Sequence, residues 1–340
     1  MLSLLRRLRR NLVLVHLPKT GGTSARVALM KHERKRQFIL DYGPDQKDTS
    51  SAFRDILADP VRFGSLGDRL DRERGTFVLG HFRGIKYRRY FALEDFATFL
   101  REPYARLLSE YNHHVVRGRI ECSFGDFLAM PRFRNTMSRG LDGLDVERFG
   151  FLGVTESFER DFPRFLAFVG IGGAVERANS GRYGPEIAAL RRDAEFQALA
   201  RRLNEDDFAL YDFVAGRLAG RDLATPSWLE AARAGIRGEA AIAPDGTVHG
   251  WVARGQDEPP RRLRLVAEGR EIGSTEAAME RDDIRRHFLS EHPDCGFGFA
   301  PDLLRGPGVV PSRVWVVDVE TGATIPGCPL HVPPLSPPAA

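Results

Sequence analysis

Apolar residues in the first half of the chain fall into short, nearly unbroken runs. Residues 12–17 (Leu-Val-Leu-Val-His-Leu), 76–82, 97–101 and 149–156 are of strand length and rich in β-branched and aromatic side chains. That is the pattern of parallel strands covered on both faces. Three of these runs lead into segments with apolar positions at helical spacing: from Thr23 to about Met30, through 102–114 with Pro103 in the first turn, and through 158–169. A further helical pattern, with interruptions, covers 186–215. Strands alternating with helices predict an open, mostly parallel, P-loop-like α/β sheet flanked by helices, with its ligand at the carboxyl ends of the strands. Residues 31–74 are polar and irregular apart from a helical piece at 53–57. They are expected to border the ligand pocket rather than to join the sheet.

From about Gly235 the pattern changes to short alternating runs at 247–252, 262–266, 270–273 and 313–318. Turn signals at Pro244-Asp-Gly246, Glu268-Gly269 and Thr321-Gly322 connect them, so a small all-β sandwich is expected here. A chain of 340 residues is long for a single core. The predicted division is a main ligand-binding domain over 1–230, a β-sandwich accessory domain over 236–332, and a disordered Pro-rich tail over 333–340.

Charge and cysteine content narrow the picture. The formal net charge is only +4, although the sequence pI is about 9.1, which suits anionic ligands without requiring nucleic acid. The three cysteines, Cys122, Cys295 and Cys328, lie far apart and imply neither a disulfide framework nor zinc. No metal-ligand spacing appears, so no metal is expected at the reaction centre. The N-terminal ten residues are basic and amphipathic, but the apolar run after them is too short to span a bilayer and is used by the first strand. A cytoplasmic location is expected. Arg6, Arg7, Arg9 and Arg10 offer peripheral contact with an anionic membrane surface, or simply a solvated tail.

The candidate chemistry sits where the first strand ends. Pro18 stops the strand, and Lys19-Thr-Gly-Gly-Thr-Ser24 leads into the first helix. Gly21 and Gly22 allow a tight turn that brings backbone N–H groups close to a ligand, and Thr23 and Ser24 can cap the helix. A helix N-terminus with a lysine and hydroxyls beside it suits a phosphate-like anion. The ATP or GTP P-loop places its lysine after the glycines, whereas here Lys19 precedes them.

The order His16-x-Pro18-Lys-Thr-Gly-Gly-Thr-Ser24 resembles the 5′-phosphosulfate loop of sulfotransferases that use 3′-phosphoadenosine 5′-phosphosulfate (PAPS). The resemblance is to the carbohydrate group related to heparan sulfate 2-O- and 6-O-sulfotransferases. It implies that Lys19, Thr20, Gly21, Gly22, Thr23 and Ser24 hold the 5′ end of PAPS and that Lys19 also acts in catalysis. A second point of resemblance is Arg101-Glu-Pro with Ser109 eight residues on, which the family uses for the 3′-phosphate. Glu102 departs mildly from the commoner aspartate. A guanidinium fork suits phosphate oxygens, and a hydroxyl two turns into the helix can complete such a site. His81, in a Gly-His context at the end of the second predicted strand, matches the family's histidine base, and an imidazole can take a proton from an attacking hydroxyl.

Weaker similarities lie at 135–139, 153–158 and 177–180, extending the resemblance over roughly residues 11 to 215. Within them Ser138 and Arg139 are open to a nucleotide contact or a capping role. His16 reads as a packing residue, His113 and His114 as a solvated helix face, and Arg83, Lys86, Arg88 and Arg89 as either an anion-holding run or a solvated loop. The β-domain, through Gly246-Thr-Val-His-Gly-Trp251, resembles accessory modules of bacterial glycosyltransferases. The implied function is transfer of a sulfuryl group from PAPS to a hydroxyl of a glycan or glycolipid. A nucleotide-dependent kinase and a non-catalytic glycan-binding protein are the alternatives.

Overall fold

A computed structural model describes residues 11–33, 35–71, 75–116, 118–172, 185–255, 257–305 and 310–333. The basic N-terminal arginines, the 177–180 similarity and the tail beyond 333 lie outside the described residues. Among those described, no helix is long and apolar enough to cross a membrane. The chain divides into two compact units, Met1–Leu141 with Val146–Ala224, and Asp142–Asp145 with Thr225–Ala340.

The first unit is built on five parallel strands, β1 (Leu12–Val15), β2 (Gln37–Asp41), β3 (Thr76–Gly80), β4 (Phe96–Leu100) and β5 (Phe151–Val154), in the order β2-β3-β1-β4-β5. The helices that matter for the site are α1 (Gly22–His32), α2 (Pro103–Val116), α3 (Thr136–Leu141), α4 (Phe158–Val169) and α5 (Glu205–Leu218). Every residue of β1 is buried, as its uninterrupted apolar run requires. Leu12 and Leu14 share one core with Phe77, Leu79, Phe99 and Phe151 from neighbouring strands, and with Ala25, Ala28 and Leu29 of α1 and Phe158, Phe162 and Phe165 of α4. The expected parallel α/β sheet flanked by helices is therefore present.

β2 corrects the reading of residues 31–74. Gln37-Phe-Ile-Leu-Asp41 pairs with β3 from Gln37↔Thr76 to Asp41↔Gly80 and joins the sheet as its edge. An edge strand needs less apolar surface, and the first two residues of β2 are only half buried. At its end Asp41 is buried, bonded to Lys86 Nζ at 2.8 Å and to the Tyr87 hydroxyl at 2.8 Å.

Strand order explains where a ligand belongs. β1 lies between β3 and β4, and the chain crosses from one side of β1 to the other between those two strands. The crevice beyond the carboxyl end of β1 is thus a topological switch point. It is flanked by the residues that follow β3 and β4, His81 and Arg101.

The second unit holds two four-stranded sheets, ordered β10-β11-β7-β6 and β13-β12-β8-β9. Their strands are β6 (Gly238–Ile242), β7 (Val248–Val252), β8 (Arg262–Ala267), β9 (Arg270–Glu276), β10 (Met279–Glu280), β11 (Asp294–Phe299), β12 (Arg313–Asp318) and β13 (Leu330–His331). Ala240, Val248 and Phe297 of one sheet and Leu263, Leu265, Val314 and Val316 of the other share a single core, as in a sandwich. The four predicted strands are present at β7, β8, β9 and β12. β6 and β11 complete the layers.

Candidate active site

The loop after β1 is a strained turn. Lys19 has φ 66° and Gly21 φ 90°, both in the left-handed region, and α1 begins at the next residue. Gly22 is needed for space: a Cβ there would lie 2.1 Å from Cδ2 of the His16 ring, which packs directly beneath it. The first turn of α1 carries no acidic residue and its cap position adds no side-chain bond. Its N-terminus therefore keeps the positive polarity that an anion needs.

Carbonyls along this segment are taken by side chains, all but one of them from other parts of the unit. Thr98 Oγ1 donates to Val15 O at 2.8 Å, His81 Nδ1 bonds His16 O at 2.5 Å, and Thr20 Oγ1 donates to Leu17 O at 2.9 Å. Arg101 Nη1 donates to Lys19 O at 3.2 Å and Thr155 Oγ1 to Thr20 O at 2.9 Å. Every strand that neighbours β1 or lies one place beyond β4 contributes: β3 through His81, β4 through Thr98 and Arg101, β5 through Thr155. The loop shape is set by its surroundings as much as by its glycines.

His81 is held in one tautomer by this arrangement. A carbonyl only accepts, so the proton of a neutral His81 sits on Nδ1 and the lone pair on Nε2. The ring lies 4.5 Å from that of His16 and 4.9 Å from that of Tyr42, centroid to centroid. One side stays open to solvent, yet this packing removes enough water from the ring to lower its pKa below 6.5. Burial acts more strongly on His16, whose pKa falls to about 3, with the neighbouring His81 adding to the effect. His16 Nδ1 meets the Tyr42 hydroxyl at 3.2 Å. It is a permanently neutral packing residue at physiological pH.

Beside this pair opens a cleft of about 260 Å³, lined by His16, Leu17, Pro18, His81, Phe82, Arg83, Arg132, Thr136, Arg139 and Gly140. It adjoins the start of the loop, so a hydroxyl compound within it would face His81.

The sequence pattern that defines the sulfotransferase family matches residues 4–214. The chain belongs to the sulfotransferase family. Solved structures similar to it include two sulfotransferases. A sulfotransferase from Alicyclobacillus acidocaldarius shares 21% identity with a TM-score of 0.37, covering 66% of this chain and 99% of that one. Mouse sulfotransferase SULT7A1 complexed with PAP shares 13% identity with a TM-score of 0.30, covering 66% and 72%. No curated protein matches the sequence significantly.

In this sulfotransferase three of the features singled out from the sequence, the Lys19–Ser24 turn, Arg101 and His81, meet at the end of β1. Lys19 to Ser24 form the turn, Arg101 touches it from β4, and His81 faces it from β3. Ser24 is buried, with its N–H on Gly21 O at 3.1 Å, while Thr23 is exposed. Ser109 is half-buried on α2, two turns past Arg101. Glu102 caps that helix: its two carboxylate oxygens accept from Tyr104 N at 3.1 Å and Ala105 N at 2.7 Å. The acid after Arg101 is thus explained by the helix start. Glu102→Ala is expected to lower stability by about 1 kcal/mol, read from chemical denaturation.

Other expectations change. Ser138 bonds Asp207 Oδ1 at 2.9 Å through its hydroxyl, joining α3 to α5. Arg139, open to a nucleotide contact or a capping role on sequence grounds, lines the cleft. His114, expected on a solvated face, is half-buried and meets Glu110 Oε1 at 3.1 Å. Of the basic run after His81, Lys86 is buried on Asp41, Arg88 Nη1 bonds Phe91 O at 3.2 Å, and Arg89 stacks on Tyr90, so Arg83 alone of the four lines the cleft. Sequence reasoning missed Arg132 and the clamp made by Thr155. Thr155 does lie within the 153–158 similarity, but the contacts of both residues arise from tertiary placement.

Proposed function

We propose that this protein transfers a sulfuryl group from PAPS to a hydroxyl of a glycan or glycolipid, as the carbohydrate sulfotransferases its loop resembles do. The observation that carries the reading is the pairing of the Lys19–Gly21 turn with a histidine whose tautomer is fixed by the same strand. The residues fit the donor. The left-handed turn, the acid-free start of α1 and Lys19 suit the 5′-phosphosulfate, and Arg101 with Ser109 on α2 suits the 3′-phosphate. PAPS, when bound, supplies the activated sulfuryl group and leaves as adenosine 3′,5′-bisphosphate.

His81 Nε2 accepts the proton of the acceptor hydroxyl as the hydroxyl oxygen bonds to sulfur and the bond from sulfur to the bridging oxygen breaks. Lys19 and the loop N–H groups face the negative charge that grows on that bridging oxygen, a preorganised electrostatic contribution of about 3 kcal/mol per donor. His16 and Tyr42 hold the base ring in place.

Thermal shift separates this reading from a kinase. Adenosine 3′,5′-bisphosphate is expected to raise the melting temperature and ATP with magnesium to do so much less; the reverse order would favour a kinase. Transfer of labelled sulfate from PAPS across a glycan and glycolipid panel tests the activity itself. Inactivity on every acceptor class, with the nucleotide bound, would favour a non-catalytic role.

A further inference from the structure

We propose that His16 is a second catalytic histidine, whose Nε2–H donates a hydrogen bond to an oxygen of the sulfuryl group while His81 takes the acceptor proton. The inference rests on the sulfotransferase reading and adds a residue to the same site.

Position is the first ground. His16 directly follows β1, and its ring lies under Gly22, the first residue of α1, with Cδ2 2.1 Å and Nε2 2.6 Å from where a Gly22 Cβ would stand. The Nε2 edge is therefore turned to the helix start, where the phosphosulfate belongs. The same ring lies 4.5 Å from that of His81, centroid to centroid, and both histidines line the cleft. A group handed from the loop to a hydroxyl at His81 thus passes His16.

Hydrogen bonding is the second. His16 is only 8% exposed, and among the described residues its one side-chain hydrogen bond joins Nδ1 to the Tyr42 hydroxyl at 3.2 Å. Nε2 has no protein partner there, and a buried polar atom left unpaired is costly unless a ligand supplies the bond. Tyr42 also settles which nitrogen carries the proton. The Arg26 guanidinium acts on the Tyr42 hydroxyl and lies 5.0 Å from the ring centroid. Guanidinium groups only donate, so the phenol oxygen accepts from that side and its hydrogen is left for His16 Nδ1. The imidazole proton is then on Nε2. His81 is set the opposite way, with its proton on Nδ1 toward His16 O and its lone pair on Nε2. The two rings offer one cleft a donor and an acceptor.

Charge is the third. Burial keeps His16 neutral, with a pKa of about 3, so it holds the same single proton throughout turnover. As His81 becomes an imidazolium, a neutral neighbour opposes it far less than a second cation would. A neutral imidazole at a helix N-terminus is a suitable donor to a substrate oxygen.

Histidine nitrogen NMR and two variants provide the test. In the full-length protein near neutral pH, His16 is expected to show a protonated Nε2 and a lone pair on Nδ1. Its Nε2 signals should shift when PAPS binds without acceptor, and stay in place when adenosine 3′,5′-bisphosphate binds. His16→Phe keeps a ring beneath Gly22 without the donor, and kcat for labelled-sulfate transfer is expected to fall about 10²- to 10³-fold with affinity for the bisphosphate unchanged. His16→Gln, whose amide restores an N–H near that position, should recover about tenfold of the loss. A proton on Nδ1, equal shifts with PAPS and the bisphosphate, full activity in His16→Phe, or no recovery in His16→Gln would each overturn the proposal. If neither variant folds, the two NMR readings on the unaltered protein decide it. Failure of the bisphosphate to bind marks instead the failure of the underlying sulfotransferase reading, and the role of His16 falls with it.

Discussion

Replacing His81 with alanine is expected to lower kcat by about 10²- to 10⁴-fold, the usual worth of a general base, and to leave the affinity for adenosine 3′,5′-bisphosphate unchanged. The proposed nucleotide contacts come from β1, α1, β4 and α2, whereas His81 reaches the site from β3. Among the described residues its one hydrogen bond is to the main chain of His16, so its loss removes none of the proposed nucleotide contacts. The acid side of the pH profile carries the same information. His81 must be proton-free to act, and burial lowers its pKa below 6.5. Activity should rise with pH through that lowered pKa and be level by neutrality. In His81→Ala this limb should vanish. Full activity in the variant would remove the histidine from the base role.

Lys19→Gly is expected to lower kcat by about 10²- to 10³-fold without costing stability. Lys19 sits at φ 66°, where a residue with a Cβ costs about 1–2 kcal/mol relative to ordinary conformations. Glycine relieves that strain but adds about 0.5–1 kcal/mol of unfolded-state entropy, so denaturation should show a net change between zero and a gain of about 1.5 kcal/mol. Lys19→Ala removes the same charge and keeps the strain. Similar activity losses in the two variants, with Gly the more stable, would assign the lysine to charge stabilisation at the cost of backbone comfort. A substantial residual activity in both would place the stabilising charge elsewhere.

Much of the first unit was legible because its central strands are buried on both faces and must be apolar throughout. β1, β3 and β4 announce themselves in that way, β5 at the other edge does so because its Phe-Leu-Gly-Val run stays apolar, and the Lys-Thr-Gly-Gly order announces the turn. β2 was not legible, because an edge strand of five residues with polar ends resembles the loops around it. In the second unit β6, Gly-Glu-Ala-Ala-Ile, lacks the β-branched content that marks a strand. β11, Asp-Cys-Gly-Phe-Gly-Phe, does alternate, with Cys295, Phe297 and Phe299 buried, but its glycines read as turns. The site shows the same division. Lys19, His81 and Arg101 belong to strand ends that the pattern locates, whereas Arg132 enters from a short turn whose position depends on the packing of Phe127, Phe133 and the helices around them.

The row of carbonyls from Val15 to Thr20 has an implication for how this site tolerates change. All of those bonds but the one from Thr20 join the main chain of this segment, which no substitution within the loop deletes outright, to side chains far away in the sequence. Variation inside the loop should therefore alter its chemistry more readily than its shape, and variation at Thr98, Arg101 or Thr155 should do the opposite. In a mutational scan these remote positions would behave as if they belonged to the loop. A library confined to residues 19–24 would leave half of the determinants of its geometry unsampled.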